Sequence, residues 1–225
     1  LRVGTLMRLG QGEAFYKGND LFLDLVAAAE AAGLNIRFEV MGRGENADAA
    51  RFRASGLTVH LNASDAARDR YLHALDVFVS CSRWEGFNLP LLEAQAQGTP
   101  ALAFDVGAHP ETTPLLMASL DEMLAQIAAY DRDRTLVSAH GRMARRFAGR
   151  FTWRAAADDV RALIAQLPAD PSQRPRYQSP IMVRLRSRWQ LVLHYGEVLE
   201  QSLSRHGVGG TLVRIQRRLF GGRRG

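Results

Sequence analysis

Short apolar segments that alternate with longer helical patterns are the feature that most constrains the fold of this chain. The apolar segments are separated by helical patterns near residues 20–32, 46–55, 65–74 and 89–97. Such alternation is typical of a parallel sheet covered by helices on both faces, because parallel strands need long crossover connections. These crossovers are nearly always right-handed, so the sequence predicts an α/β fold with a doubly wound, Rossmann-like parallel sheet. The predicted strands are residues 2–7, 36–41, 57–61, 76–81 and 100–104.

Beyond Pro110 the pattern becomes mainly helical and then changes to a basic C-terminal region. Three further helices are predicted, over residues 119–130, 133–148 and 153–166. Four prolines in the next segment indicate a linker. Apolar residues at helical spacing among arginines then predict a basic amphipathic helical tail. We therefore expect a domain over residues 1–167, a linker over 168–180 and a tail over 181–225.

The net charge of +6 is distributed unevenly between these parts. Residues 1–167 contain 18 basic and 20 acidic side chains, whereas residues 168–225 contain 11 and 3. The basic character therefore belongs to the tail. Its apolar stripe either lies on an anionic membrane surface or packs on this domain or on a further one. Nucleic acid is not an expected partner, because no reading motif accompanies the aromatic residues of the tail.

Cysteine usage and hydropathy limit the class of protein further. Cys81 is the single cysteine, which excludes an intramolecular disulfide framework and fits a reducing compartment. The sequence contains no run of about 18 apolar residues, so no membrane-spanning helix is predicted. We expect a cytoplasmic protein, either free or peripheral at the inner face of the membrane. The chain opens at Leu1 inside a strand-like run without a leader, as expected for a piece of a longer protein.

The segment RWEGFNLPLLEAQAQG, residues 83–98, predicts a ligand site at the start of a helix. It follows the predicted strand over residues 76–81, and ligands of open parallel sheets bind beyond the carboxyl ends of the strands. Asn88 is a good N-cap, so free backbone N–H groups and the positive dipole end point at the crevice. Glu93 lies one turn into the helix, where it either accepts hydrogen bonds from a diol such as a ribose or only compensates the dipole. Glu85 stays on the loop, within reach of a sugar hydroxyl.

A second candidate segment, MRLGQGEAFYKGND, follows the first predicted strand. It contains three glycines and precedes a helix that we expect Asn19 or Asp20 to cap. Arg8 and Lys17 are placed to neutralise a diphosphate, and a unit charge at 4 Å contributes about 4 kcal/mol at an effective dielectric near 20. Lys17 is the single lysine of the chain, although a surface position beside a turn is the usual location of lysine.

Other candidate residues support weaker interpretations. Glu85 and Glu93 are unlike a glycosidase acid/base pair, because that interpretation leaves Lys17 and the helix start unexplained. The Asp-Arg-Asp run over residues 131–133 imitates a metal-binding motif but is expected to be a solvated turn, and we predict no metal. Cys81 is expected in the core. For His60 and His109, ligand contact and packing are equally compatible with the sequence.

The order and spacing of several short motifs carry a family resemblance. The segment CSRWEGFNLPLLEAQAQGTPALAFDVGAHPE places seven residues between two glutamates and continues into Gly-x-Pro and Gly-x-x-Pro-Glu stretches. YKGND is similar to a Lys-Gly-x-Asp motif, and VMGRGE to a strand followed by a Gly-x-Gly loop. Together they resemble the donor-binding C-terminal half of GT-B glycosyltransferases of the GT4 family (glycosyl transferases group 1). The similarity covers about residues 2–166, with departures at Thr5, Asn88 and Ala108.

The resemblance implies a role for each matching residue. Glu93 would hold the ribose of a nucleotide sugar, and Glu85 would contact the donor sugar. Arg8 and Lys17 would bind the diphosphate and stabilise the leaving nucleoside diphosphate. The remaining donor-binding residues would line the nucleotide, sugar and phosphate; they are Gly42, His60, Gly86, Phe87, Asn88 and Leu89.

The resemblance also implies a function. It suggests the donor-binding half of a sugar-retaining glycosyltransferase that uses a nucleoside-diphosphate sugar as its donor substrate, without a further cofactor, in cell-surface glycan synthesis. It further implies that the acceptor-binding N-terminal domain of such an enzyme lies outside this chain. The alternatives are a nucleotide-sugar binding module without activity, or another GT-B chemistry such as sugar-nucleotide epimerisation.

Overall fold

A six-stranded parallel sheet forms the centre of the molecule, in the order β3-β2-β1-β4-β5-β6. The computed structural model describes residues 1–10 and 13–168. The chain runs outward from the centre twice, first through β1, β2 and β3 and then through β4, β5 and β6, which confirms the predicted doubly wound topology. The strands are β1 (Arg2–Arg8), β2 (Arg37–Arg43), β3 (Thr58–Leu61), β4 (Val77–Ser80), β5 (Ala101–Phe104) and β6 (Leu116–Met117).

Helices connect these strands and cover both faces of the sheet. One apolar cluster joins the sheet to α1, α2 and α6, and the other joins it to α3 and α4. The central strand β4 is buried along its whole length, as expected for a strand covered on both faces. The helices are α1 (Asn19–Ala31), α2 (Asn46–Ala54), α3 (Asp65–Ala74), α4 (Leu89–Ala96), α5 (His109–Thr112), α6 (Leu120–Arg132), α7 (Arg134–Ala148) and α8 (Trp153–Ala165).

The observed elements confirm the predicted strands and helices and add two short ones. Strand β6 has only two residues and helix α5 only four, too few to produce a periodic pattern in the sequence. The Asp-Arg-Asp run lies at the junction of α6 and α7, as predicted. There the Asp133 side chain accepts a hydrogen bond from the Thr135 N–H at 2.9 Å and caps α7.

The expected N-cap of α1 is wrong. Gly18 occupies the cap position with a left-handed backbone, φ +63°, and no side chain caps the helix. Asn19 is fully buried, and its side-chain amide donates to the carbonyl oxygens of Arg8 and Leu9 at 3.2 and 3.4 Å. Asp20 instead pairs with Arg83. Both polar side chains are therefore used in long-range contacts that fasten the loop after β1.

A buried ion cluster joins the three neighbouring strands β1, β2 and β3. At its centre lies Glu39, whose side chain is completely inaccessible to solvent. The Tyr71 hydroxyl closes the cluster from α3 by donating to the carbonyl oxygens of Thr5 and Glu39 at 2.8 and 3.1 Å. The carboxylate oxygens of Glu39 lie 2.9 to 3.1 Å from side-chain nitrogen atoms of three residues, which are Arg2, Arg37 and His60.

Residue contacts divide the chain into units over Leu1–Arg161 and Ala162–Gly225, and the boundary falls inside α8. Apart from Pro168, the predicted linker and basic tail lie outside the described residues. Within the ranges that the structure describes, no helix has the length and apolar content needed to cross a membrane.

Candidate functional site

The two segments singled out in the sequence meet at the carboxyl edge of the sheet. They follow β1 and β4, the neighbouring strands at which the strand order reverses, and ligands of doubly wound sheets bind at such a point. Arg83 fastens the segments together, because its guanidinium donates to both carboxylate oxygens of Asp20 at 2.7 and 2.9 Å. It also donates to the Phe15 carbonyl oxygen at 2.9 Å and stacks on the Phe15 ring. Arg83 is a site residue that the sequence did not single out.

The electrostatics of Asp20 agree with this contact. Burial alone would raise the pKa of its carboxyl group. The hydrogen bonds and positive charge of Arg83 outweigh that effect and hold the pKa below its ordinary value. Asp20 therefore remains ionised, and a two-pronged charge-assisted contact keeps the loop after β1 beside the loop after β4.

Lys17 and Glu85, which were predicted to bind the diphosphate and the donor sugar, lie in direct contact. The Lys17 ammonium donates to both carboxylate oxygens of Glu85 at 2.8 and 3.0 Å. The Ser82 hydroxyl donates to the Oε1 atom of Glu85 at 2.8 Å. Glu85 is buried, whereas the Lys17 side chain is 29% exposed. The cation is therefore neutralised by a carboxylate but still open to an incoming anion.

Glycine at position 18 allows this contact to form. Its φ of +63° is in the left-handed region, and a Cβ atom there would overlap the carbonyl oxygen of Cys81. Only glycine lets the backbone next to Lys17 lie directly on the end of β4. Cys81 is buried, as predicted, and burial raises the pKa of its thiol to about 12, so it remains a neutral core residue.

Helix α4 begins beside Glu85, as the sequence predicts. The Asn88 side-chain oxygen accepts a hydrogen bond from the Leu91 N–H at 3.4 Å, which confirms Asn88 as the N-cap. Pro90 lies in the first turn, and Gly98, with φ +89°, follows the end of the helix. Because the Asn88 side chain is buried, a ligand at this helix end would meet the backbone of Asn88 and not its amide group.

The loop after β5 supports Glu85 from behind. The Ala108 N–H donates to the Glu85 carbonyl oxygen at 3.0 Å, and a Cβ atom on Gly107 would overlap that carbonyl group. His109 is fully buried, and its Nδ1 atom lies 2.8 Å from the Phe104 carbonyl oxygen. Burial lowers the pKa of His109 below its ordinary value, although the Phe104 carbonyl acts in the opposite direction. The imidazole is therefore neutral at neutral pH.

Three further predicted residues have structural partners of their own. Arg8 is mostly exposed and pairs with Glu13 at 3.3 Å, not with the Lys17–Glu85 pair. Gly42 lies within β2, where a Cβ atom would overlap the carbonyl oxygen of Met7, so strand packing alone requires glycine there. The Nε2 atom of His60 lies 3.0 Å from the buried Glu39 carboxylate. None of these contacts tests a ligand role, and these three roles stay predictions.

Glu93 lies on α4 with its side chain 36% exposed, beside a cation that the sequence did not predict. The Nε atom of Arg68, from α3, is 3.7 Å from the Glu93 carboxylate. Arg68 also has Asp65 and Asp69 on its own helix within 3.7 and 3.5 Å. In the sequence this arginine is part of an ordinary charged helix face, and no local pattern indicates that α3 and α4 bring it to Glu93.

The exposed side of the site is lined by large apolar side chains. Trp84, Phe87 and Leu89 are 63%, 48% and 56% exposed and flank Glu85 and Gly86. The indole of Trp84 lies over Gly86, since a Cβ atom on that glycine would be 3.6 Å from the ring. In the part of the chain that the structure describes, no group of three His, Cys, Asp or Glu side chains is arranged to hold a metal ion.

Comparisons with known proteins agree on one family. A family model described as "Glycosyl transferases group 1" matches residues 3–130. The lipopolysaccharide core biosynthesis mannosyltransferase LpsB of Rhizobium meliloti (strain 1021) is 34% identical over 146 residues, which are 55% of this chain and 40% of that protein. The D-inositol 3-phosphate glycosyltransferase of Segniliparus rotundus is 31% identical over 163 residues, which cover 65% of this chain and 36% of that protein.

Solved structures show the same fold. Sucrose-phosphate synthase from Thermosynechococcus elongatus superimposes with a TM-score of 0.59 at 25% identity, covering 73% of this chain and 45% of that one. TarM superimposes with a TM-score of 0.60 at 19% identity, covering 72% of this chain and 34% of that one. The chain spans about two fifths of the length of the curated relatives named above. The predicted Rossmann-like fold and family resemblance are thereby confirmed, and the chain belongs to the group 1 glycosyl transferases.

Proposed function

We propose that this chain is the donor-binding half of a glycosyltransferase that moves a sugar from a nucleoside-diphosphate sugar to an acceptor. The observation that carries the proposal is the contact of Lys17 with both carboxylate oxygens of Glu85 beside the start of α4. A cation, a buried carboxylate and free helix N–H groups are the three kinds of group needed to hold a diphosphate joined to a sugar.

Donor binding would exchange the partner of Lys17. The diphosphate of the donor carries negative charge that competes with Glu85 for the single ammonium group. Once Lys17 contacts phosphate, Glu85 is released to accept hydrogen bonds from sugar hydroxyls. Charge that develops on the leaving diphosphate is then stabilised by Lys17 and by the backbone N–H groups from Gly86 to Leu89, an electrostatic mechanism of the oxyanion-hole type.

The finer assignments extend this proposal along the nucleotide. Glu93 binds the ribose, Arg8 leaves Glu13 to assist Lys17 at the diphosphate, and Gly42 and His60 border the nucleotide. The proximity of Arg68 to Glu93 supports a polar pocket for the ribose end of the donor. The exposed Trp84 and Phe87 leave the opposite side of Glu85 open for an acceptor.

The names of related proteins suggest the wider setting. LpsB is named as a mannosyltransferase of lipopolysaccharide core biosynthesis, which supports a hexose donor and a role in cell-surface glycan synthesis. Because the chain spans about two fifths of such relatives, we propose that a second domain supplies the acceptor site. Retention of the anomeric configuration, a cytoplasmic location and peripheral membrane contact through the basic tail belong to the same proposal.

Calorimetry on this chain tests the proposal. GDP-mannose, UDP-glucose and UDP-N-acetylglucosamine would each be titrated into the wild type, a Lys17→Met variant and an Arg37→Ala control, whose cation contacts Glu39 instead. We expect at least one donor to bind the wild type and the control equally and the Lys17→Met variant at least tenfold more weakly. Equal affinity for the Lys17→Met variant, or no binding of any donor, would refute the proposal. Binding without turnover in a transfer assay on the full-length protein would favour a binding module.

A further inference from the structure

Buried hydrogen bonds form a continuous path from β5 to the Glu85 carboxylate. The path begins where the Phe104 carbonyl oxygen lies 2.8 Å from the Nδ1 atom of His109. On the other side of the ring, the Nε2 atom of His109 lies 3.1 Å from the side-chain amide nitrogen of Asn88. That amide also donates to the Ser80 hydroxyl at 3.0 Å. Helix α4, the end of β4 and the start of α5 are thereby joined beneath the site.

Two serines complete the path. The Ser80 hydroxyl donates to the Ser82 hydroxyl at 3.3 Å, and the Ser82 hydroxyl donates to Glu85 at 2.8 Å. All five residues from His109 to Glu85 have exposed fractions of 7% or less. Water does not compete with hydrogen bonds at such depth, so a network of this kind holds its members in one geometry.

The donors and acceptors in this path are directional. A carbonyl oxygen can only accept, so the Nδ1 atom of His109 carries the proton and the Nε2 atom of the neutral ring accepts from Asn88. The amide of Asn88 uses its two protons on His109 and Ser80, while its oxygen caps α4. The Ser80 hydroxyl is 3.5 Å from a ring nitrogen already occupied by Asn88, so its proton points to Ser82. The last proton in the path therefore points at Glu85.

We propose that Ser80, Asn88 and His109 are positioning residues that, through Ser82, hold the Glu85 carboxylate in place for the donor sugar. The inference rests on the proposed function, in which Lys17 leaves Glu85 for the diphosphate. Without Lys17, the Ser82 hydroxyl is the side-chain contact that keeps Glu85 oriented. The path therefore matters when a donor is bound, because it keeps the Glu85 carboxylate facing the sugar hydroxyls after Lys17 has left it.

The neutral state of His109 fits this arrangement. Burial favours the uncharged ring, and the charged groups that act on the ring are Glu85, which favours protonation, and Lys17, which opposes it. These opposite charges contact each other at 2.8 Å, so their effects on the ring partly cancel. The ring nitrogen facing Asn88 therefore remains an acceptor at neutral pH.

A Ser80→Ala variant breaks the path without changing Glu85, Lys17 or Ser82; it also removes one acceptor of the Asn88 amide, while the Asn88 oxygen that caps α4 keeps its contact with the Leu91 N–H. Its matched control is Thr99→Val, which removes another buried hydroxyl whose partners are the Leu72 and Leu75 carbonyl oxygens. Calorimetry would compare GDP-mannose with GDP and UDP-glucose with UDP. We expect Ser80→Ala to weaken binding of the sugar nucleotide about threefold to tenfold and to leave binding of the plain nucleoside diphosphate unchanged. The control should change neither.

Histidine substitutions test the far end of the path. His109→Leu removes the acceptor and should lower the sugar-dependent part of the affinity as Ser80→Ala does. His109→Gln supplies an amide oxygen as a new acceptor for Asn88 and should restore much of it. Equal weakening of sugar nucleotide and plain diphosphate, or no weakening by Ser80→Ala, would overturn the positioning role.

A measurement without any ligand separates this inference from the proposed function. The carboxyl carbon resonance of Glu85 in NMR spectra reports its hydrogen bonds directly. Ser80→Ala should shift this resonance and Thr99→Val should not. If no nucleotide binds the wild type but the resonance shifts, the proposed function fails and the network remains as a device that orients Glu85. If the resonance is unchanged, the network does not position Glu85, whatever the chain binds.

Discussion

The two buried glutamates of this sheet, Glu39 and Glu85, are held by different kinds of cation. Glu85 contacts the ammonium of Lys17 and the hydroxyl of Ser82. Glu39 receives a two-pronged contact from one arginine at 2.9 and 3.2 Å, as well as contacts from a second arginine and a histidine. Planar guanidinium groups match a carboxylate at two points and are difficult to displace, whereas a lysine is a point charge on a flexible stem.

The position of each glutamate in the sheet matches the way it is held. Glu39 lies in the first half of β2, inside the sheet, while Glu85 follows β4 at the carboxyl edge. Burial would raise the pKa of Glu39, but the hydrogen bonds of Arg2 and His60 outweigh it and lower the pKa below its ordinary value. Under the proposed function, the partners of Glu39 are permanent, whereas the lysine partner of Glu85 is exchanged for a ligand.

The largest effect is expected when the exchangeable partner is removed. In a transfer assay on the full-length protein, Lys17→Ala should lower kcat/KM for the nucleotide sugar. The decrease should correspond to a loss of about 2.7–4 kcal/mol of transition-state stabilisation, because a donor to the developing negative charge is lost. Arg37→Ala is the control, since it removes a mostly exposed cation from Glu39 and should leave the rate unchanged. An unaltered kcat/KM in the Lys17 variant would exclude this lysine from the mechanism.

The permanent partners should matter for stability. Glu39→Ala leaves the surrounding cations without their carboxylate, and we expect the free energy of unfolding to fall by about 3 kcal/mol. That value is at the lower end of the range for buried pairs, because the two arginines are partly exposed and can reach water. Urea titration measures this change in the free energy of unfolding.

The control is Glu93→Ala, which removes a partly exposed glutamate and should lower the free energy of unfolding by less than about 0.5 kcal/mol. Equal losses in the Glu39 and Glu93 variants would contradict a special contribution of the buried cluster to stability.

The comparison also predicts an effect at the backbone that carries Lys17. Gly18→Ala and Gly33→Ala both place a side chain at a left-handed φ, +63° and +68°, which costs about 1–2 kcal/mol. At Gly33 nothing lies within 4 Å of the added Cβ atom, whereas at Gly18 that atom would overlap the end of β4. Gly18→Ala should therefore destabilise the protein by at least about 1 kcal/mol more. Urea midpoints of the two variants would test this, and equal midpoints would contradict the close approach.

The parts of the fold that depend on local patterns could be predicted from the sequence. The strand-helix alternation, the Asn88 cap and the end of α4 near Gly98 each depend on residues within a few positions of one another. Strand β6 was missed because two residues cannot show a period. The N-cap of α1 was assigned wrongly because the Asn19 amide donates to the carbonyl oxygens of Arg8 and Leu9 at the end of β1. The immediate sequence neighbours of Asn19 do not reveal that contact.

The candidate site shows the same limit. Glu85 and Lys17 were identified by residue type and motif spacing, and the structure places them in contact. The sequence did not reveal that Lys17 forms an ion pair with Glu85, because the two residues are 68 positions apart. Ser82 and His109 belong to the same network. In the sequence Ser82 looks like an ordinary serine, and His109 is equally compatible with ligand contact and with packing. Their role depends on which side chains the topology of the sheet brings together.

The smallest expected effect is a pH dependence of stability that distinguishes the network at Glu85 from the cluster at Glu39. His109 has a folded-state pKa below its unfolded value near 6.5, so below that pH the unfolded chain binds a proton that the folded chain does not. Stability should therefore be highest above pH 6.5 and fall as the pH is lowered towards 5.5, by no more than about 1.4 kcal/mol per pH unit.

The variant that isolates this contribution is His109→Gln, measured by urea unfolding at several pH values between 7.5 and 5.5. The lowered pKa of Glu39 leaves its contribution intact in this window, since that stability is lost only as the pH falls below the unfolded value of 4.5. A slope smaller in His109→Gln than in the wild type would assign the difference to the buried imidazole. Identical slopes would mean that His109 can be protonated in the folded state without loss, and its ring nitrogen would then not be a required acceptor for Asn88.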